Sequence, residues 1–296
     1  MPRPIDSGIG TPIDCSELEV IIADAKVDPR DEDGLATLGP ALARLGRNRD
    51  FLPMLAAEEL KRDCARQSAM AAYGPQVFMI AGPQGGFSLR ANFWPAEADP
   101  VLRASGRDAF FYDMPHDHNF SFLTVGHLGP GYWSDYYEID PAAGPLLPGA
   151  PSGLRYVERS ALSEGRVLLY RAGVDVHSQA PPDAFSVSIN ILAHPPGGAW
   201  EDQRRFDLQR DIAAEVLTTA PAEALLTLAV RFGEGEGLAR HFARTHPSDR
   251  MRTTALSALA GVADADGRRA LWEAAADAPR AYVATFARAR LAELAP

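Results

Sequence analysis

Apolar residues recur at three- and four-residue spacing through SELEVIIADAK, LATLGPALARLG and FLPMLAAEELKRDCARQ, within residues 15–67. That period predicts amphipathic helices. From residue 68 the pattern changes. Short β-like runs appear: QVFMIAG, FSLRANFW, DAFFYDM, HNFSFLTVGHLG, YWSDYYEID, GRVLLYRAG and FSVSINILAH. Turn signals such as GPQGG, GPG, PAAGP and APPDA separate them. Many short strands with such turns predict a β-sandwich or barrel. From residue 201 the chain is rich in Ala, Leu and Arg and reads as helical again, with caps predicted at Asp207, Ser248 and Asp264. SDRMRTTALSALAGV and, about 30 residues later, PRAYVATFARARLAEL look like one helical unit repeated. Stacked helix pairs of the HEAT type are the expectation there. The predicted organisation is an N-terminal helical segment (1–67), a β-domain (68–200) and a C-terminal helical domain (201–296).

Alternation inside the strands predicts two-faced sheets. In FSLRANFW, Ser88, Arg90 and Asn92 share one face, opposite Phe87, Leu89, Ala91 and Phe93. In FSVSINIL, Ser186, Ser188 and Asn190 oppose Val187, Ile189 and Ile191. If helices cover the apolar side, the polar side lines an internal cavity. The other reading is that the polar side meets solvent, as in most antiparallel sheets.

Composition narrows the function classes. The chain is 46% hydrophobic and 23% charged, with a net charge of −10 and no basic stripe. Nucleic acid and anionic membranes are therefore poor partners. No run of about 18 apolar residues occurs, and the opening MPRPIDSGIGTPID lacks a signal peptide's apolar core. A cytoplasmic location is the expectation. Cys15 and Cys64 have no CxxC spacing and read as reduced structural thiols.

The sharpest chemical signal is Pro-His116-Asp-His118 entering a strand. Residues two apart on a strand project together, so both imidazoles can reach one ion. His177, between two predicted strands, is the expected third ligand. Three neutral imidazoles suit Fe, Zn, Cu, Mn or Ni. His127 falls on the opposite face and reads as structural, His194 as a loop residue, and His241 and His246 as surface residues.

The layout resembles the two cupin motifs. HxH followed by Gly129 fits the first. Gly165, Gly173, His177 and Asn190 fit the second. The acidic position of the first motif falls at Phe122 or Leu123, which cannot bind a metal. Loss of that carboxylate, with FSLRANFW, HDH, FLTVGHLGPG and HSQAPPDAFSVSINILAHPP, looks like the thiol dioxygenase branch, relatives of cysteine dioxygenase, over roughly residues 70–197. The resemblance implies a jelly-roll barrel, Fe(II) on three His, and O2 as co-substrate. It departs from that branch at the last strand, where Asn190 and Leu192 replace a His and a Tyr. The usual substrate-binding Arg is also absent near Val77.

The expected activity is therefore a mononuclear non-haem iron oxygenase acting on a small carboxylate-bearing substrate: an amino acid, a thiol or a peptide residue. Arg90 is the expected carboxylate anchor, through bidentate geometry. Asn92, Ser188 and Asn190 join it as substrate-binding candidates. An internal salt bridge from Arg90 to Glu138 or Asp113 is the alternative. Tyr136 is a candidate proton donor, and Glu138 the candidate acid or base of a hydrolytic zinc site. Two further alternatives stand: a ligand- or metal-sensing module whose C-terminal helices bind a protein partner, and a metal-dependent isomerase or hydrolase. No Gly-rich dinucleotide loop is present.

Overall fold

The computed structural model describes residues 1–62, 75–139 and 146–294, so Cys64 lies outside the described residues. They divide into two compact units: residues 1–139 with 153–198, and residues 146–152 with 199–294.

In the first unit the predicted N-terminal helices form as α1 (Cys15–Ala25), α2 (Glu32–Ala36), α3 (Gly39–Gly46) and α4 (Phe51–Lys61). Asp14 starts α1 with a capping box. Its side chain accepts from the Glu17 backbone, and Glu17 reaches back. A short strand, β1 (Arg3–Ile5), precedes them, where the sequence suggests none. Eight strands follow: β2 (Val77–Gln84), β3 (Phe87–Trp94), β4 (Phe122–Leu128), β5 (Trp133–Glu138), β6 (Arg155–Ala161), β7 (Val167–Tyr170), β8 (Asp175–Ala180) and β9 (Ser186–Ala193). A short helix, α5 (Pro100–Ser105), separates β3 from β4.

One sheet runs β1-β7-β4-β9-β3-β2 and the other β6-β5-β8, all antiparallel. The segment Tyr112–His118 adds to the free side of β8 through bridges at Tyr112–Gln179 and His116–His177. The order β3-β9-β4-β7 against 112–118-β8-β5-β6 is that of a double-sheet jelly roll, the architecture of cupins.

Strand alternation separates two cores. Leu89, Ala91, Leu123, Val125, Ile189 and Ile191 pack outward on Leu18, Leu35, Leu42 and Leu45 of α1–α3. Each fully buried aliphatic side chain there contributes about 1.5–3 kcal/mol. Helix α3 approaches closely because Gly46 lacks a side chain; a methyl there would sit 3.1 Å from Val125 Cγ1. Trp94, Phe122, Tyr132, Tyr136, Leu168, Tyr170 and Leu192 point inward and fill the barrel. The polar faces of β3 and β9 are on this inner side: Ser88, Asn92, Ser186, Ser188 and Asn190 are all buried. The sheet's polar face is thus internal, and the solvent-facing alternative falls away.

In the second unit, residues 201–296 are not wholly helical as the sequence suggests. They open with a β-hairpin, β10 (Arg204–Asp207) and β11 (Ile212–Val216), which Pro151 joins at Ile212. Asp207 caps no helix: its carboxylate accepts from Gln209 and Arg210 in the hairpin turn. Helices α6 (Pro221–Arg231), α7 (Glu236–Thr245), α8 (Asp249–Val262), α9 (Ala265–Ala276) and α10 (Ala281–Glu293) follow. Ser248 and Asp264 cap α8 and α9 as expected. The two repeat-like segments are α8 and α10. Arg250 on α8 is buried and fully engaged by Glu223, Asp202, Thr218 and the carbonyls of Glu201 and Ala199.

Candidate metal centre

His116 and His177 face each other as a backbone pair, each donating its N–H to the other's carbonyl at 3.0 Å. The extended backbone then sends His118 to the same side as His116. The chain enters this segment through a turn in which Phe111 and Asp113 both take left-handed backbone (φ 56 and 57). Non-glycine residues in that region cost about 1–3 kcal/mol each and cluster at functional sites. Gly173, also left-handed, donates its N–H to the His118 carbonyl at 2.8 Å.

The three side chains converge. His177 Nε2 lies 3.1 Å from His116 Nε2 and 3.1 Å from His118 Nε2. All three rings are buried. They form a group whose ligand atoms lie within 4.8 Å of one another, made of His116, His118 and His177 as the sequence predicts. Burial holds all three imidazoles neutral: His116 is pushed down to about 4, and His118 and His177 well below the ordinary value. Neutral imidazole is the form that binds a metal.

A hydrogen-bonded cluster explains this geometry less well than an ion. His116 Nδ1 sits 2.8 Å from the Met114 carbonyl and must carry its proton there. Neutral His116 then presents a bare lone pair at Nε2. A proton on His177 Nε2 can point at only one of its two neighbours, which leaves lone pairs opposed. One cation satisfies all three nitrogens. The His116–Met114 bond is the outer support a ligating His ordinarily has. Two nitrogens about 2.1 Å from one ion are about 3.0 Å apart at a right angle and about 3.4 Å apart at the tetrahedral angle. The observed 3.1 Å lies nearer the right angle, which leaves room for further ligands.

The walls are aromatic. Tyr170 meets the His177 ring edge-on at 4.8 Å and stacks on Phe122 at 4.5 Å. Phe122 meets His118 edge-on at 4.9 Å. Phe122, at the position of the missing acid, is thus a wall of the site, while Leu123 points to the helices. Arg90, half-buried on β3, opposes Asn190 on β9. Its charge is felt at His116, His118 and His194, disfavouring their protonation. Asn190 donates to Asn92 Oδ1 at 3.2 Å, and Trp94 Nε1 donates to Ser188 Oγ at 2.9 Å. Ser88 Oγ lies 2.7 Å from His194 Nε2, so His194 is tied to the barrel wall rather than to a loop alone. His127 holds the Gly46 carbonyl through Nδ1 at 2.9 Å.

Two further candidates are engaged by neighbouring groups. Tyr136 is buried inside the barrel, but its hydroxyl bonds the Tyr170 hydroxyl at 3.0 Å. Burial raises both phenols, so they stay protonated. Glu138 lies two residues further along β5, held by the Met1 ammonium at 2.5 Å and by Arg155 at 2.5 Å, with Arg171 at 3.5 Å. These cations hold its carboxyl below the usual range, the Met1 bond foremost. It is an ion-pair member. Asp113 is likewise engaged, by Arg107. Sequence reasoning missed Gln179. Its amide nitrogen lies 3.1 Å from His177 Nε2 and 3.3 Å from Nδ1. Its signal was available: two residues past His177, it shares that ligand's face.

No family model matches the chain, and no curated protein matches it. Solved structures do. The chain is similar to the 11S allergen of Cocos nucifera (13% identity, TM-score 0.27, 62% of this chain and 39% of that one). It is similar to a DMSP lyase (12% identity, TM-score 0.27, 69% and 81%). A third likeness is to procruciferin, an 11S globulin of Brassica napus (10% identity, TM-score 0.27, 56% and 34%). The chain thus spans 39% and 34% of the two globulins' lengths. At these scores the fold rests on strand order alone. Among the described residues no helix is long and apolar enough to cross a membrane.

Proposed function

We propose that the chain is a metal-dependent cupin enzyme, a mononuclear non-haem iron oxygenase acting on a small carboxylate-bearing substrate. The observation that carries this reading is the convergence of three buried, neutral imidazoles at 3.1 Å spacing. A ferrous ion held by His116, His118 and His177 would supply open positions for O2 and for a substrate atom. The chain's own part is to bind, orient and keep water out. Phe122, Tyr170 and Trp94 make a wall that excludes water and strengthens every polar contact inside it. Arg90, with Asn92, Ser188 and Asn190 around it, holds the substrate carboxylate. Hydrolysis or isomerisation is the weaker reading, because the one expected acid, Glu138, is taken up in ion pairs. A sensing role, with α6–α10 as the partner-binding part, predicts ligand or metal binding without turnover.

The test has two stages. Protein purified without added metal is analysed for its ion, then loaded anaerobically with Fe(II). Oxygen uptake is followed with amino acids, small thiols and short peptides. Uptake that depends on both iron and one substrate class supports the reading. Stoichiometric Fe(II) with no uptake across the panel would overturn oxygenase activity in favour of sensing.

A further inference from the structure

Phe111 is an aromatic residue that the barrel leaves at its surface. Phe110 and Tyr112, on either side of it, are each 1% exposed and fill the inner core. Phe111 is 44% exposed. Among the described residues its one ring neighbour is His116, with centroids 6.0 Å apart and planes at 50°. The charge of Arg90 is felt at the same imidazole. An accessible phenyl ring and a guanidinium thus attend one ligand of the candidate metal centre.

The backbone is strained to hold the ring there. Phe111 has φ 56, where Cβ crowds the following carbonyl oxygen, and a bulky side chain in that region is an outlier. Twelve described glycines take positive φ, and the other non-glycine residues that do so are Lys26, Asp113 and Asp211, none of them apolar. The turn itself is enforced from both sides. The Phe111 N–H donates to the Asp108 carbonyl at 3.1 Å, and the Asp113 N–H to the Gln179 carbonyl at 2.8 Å. The Tyr112 hydroxyl donates to the Pro95 carbonyl at 2.9 Å, and Arg107 Nε to Asp113 at 2.6 Å. A left-handed residue is therefore required between Phe110 and Tyr112, and glycine would supply it without strain. What phenylalanine adds is an accessible apolar face beside His116. Strain of this kind clusters at active sites and ligand clamps.

We propose that Phe111 is a substrate-contacting residue of the metal centre, its exposed ring packing on the apolar part of a carboxylate whose charged end Arg90 holds. The substrate class narrows accordingly, to small carboxylates that carry an aromatic or bulky aliphatic group. Carboxylates without such a group are poor ligands. The inference rests on the carboxylate-binding reading of the site, and the experiment separates the two.

Binding of acetate and of phenylacetate to the Zn(II)-loaded protein is measured by titration calorimetry for the wild type, Phe111→Gly and Phe111→Tyr, with zinc content determined by elemental analysis. The wild type is expected to bind phenylacetate more tightly than acetate. Phe111→Gly is expected to keep its zinc, to bind acetate as the wild type does, and to lose roughly 2- to 10-fold in phenylacetate affinity, the worth of one aromatic contact. Phe111→Tyr keeps the ring face and is expected to bind phenylacetate as the wild type does. Should Phe111→Gly not fold, Phe111→Ala carries the same comparison. Wild-type phenylacetate affinity in the variant without the ring overturns the proposal and makes the ring structural. Equal losses for acetate and phenylacetate overturn it too, because the change then acts through the metal or Arg90. A wild type that binds both carboxylates equally overturns the role of Phe111 alone. A zinc-loaded wild type that binds neither overturns the carboxylate-binding reading itself.

Discussion

His116, His118 and His177 bring three nitrogens within 4.8 Å of one another, a group that could hold a metal ion. Replacing any one by Ala should abolish stoichiometric metal, measured by elemental analysis after desalting. A variant with full occupancy would remove that residue from the ligand set. Arg90→Ala should keep metal content while weakening binding of the carboxylate substrate. Loss of a desolvated charged partner costs about 2–5 kcal/mol, or about 30- to several-thousand-fold. Arg90→Lys should recover little, because the planar fork is lost. Unchanged substrate affinity in Arg90→Ala would make Arg90 structural. At this scale the three-His cluster was legible, because HxH and strand period two suffice to pair imidazoles. The fate of Glu138 was not. Alternation put it on the side of Tyr136, but the Met1 ammonium and Arg155 come from distant segments that no local pattern reveals.

The elements place those residues. Strand β9 is buried along its whole length, polar side included. Ile189 is inaccessible between β4 and the helices. Ile189→Ala should cost about 2–5 kcal/mol through the cavity it leaves, read from denaturant unfolding. His127 ties β4 to α3, with the Phe51 ring edge-on at 5.5 Å and Arg49 bonding its carbonyl. Burial holds it neutral below its ordinary pKa of 6.5. The unfolded chain therefore takes a proton that the folded chain refuses. This contribution is whole above about pH 6.5 and is lost as pH falls below it. His127→Asn should flatten that part of the stability–pH curve, measured by unfolding from pH 7 to pH 5. An unchanged slope would show that His127 does not govern it. The helices and strands β2–β5, β7 and β9 followed from periodicity. Strands β1, β6 and β8 and the hairpin β10–β11 did not: β1, β10 and β11 span only three to five residues, and RYVERSA of β6 and DVHSQA of β8 hold too few apolar residues to alternate. The run DAFFYDM, expected as a strand, opens with a 3-10 turn at Asp108–Phe110.

Taken whole, the described residues form two compact units, each with hydrophobic clusters of its own. The second unit is pinned by a buried cation: Arg250 lies 3.1 Å from Glu223 and 2.8 Å from Asp202. Arg250→Met would strand both carboxylates, at about 3–5 kcal/mol. A lowered denaturant midpoint, with metal content unchanged as control, is the expected result; an unshifted midpoint would show the network to be dispensable. The barrel's aromatic lining has an optical consequence. Of the four tryptophans, Trp94 alone sits in the inner core, its ring centroid 3.8 Å from that of Tyr132 and in the cluster that includes Tyr170 beside His177. Shielded from water, it should emit at the blue end of tryptophan fluorescence, and a paramagnetic ion at the histidines should quench it while Zn(II) does not. The protein thus carries its own lamp for metal occupancy, and titration of Trp94 emission would report loading without any added probe.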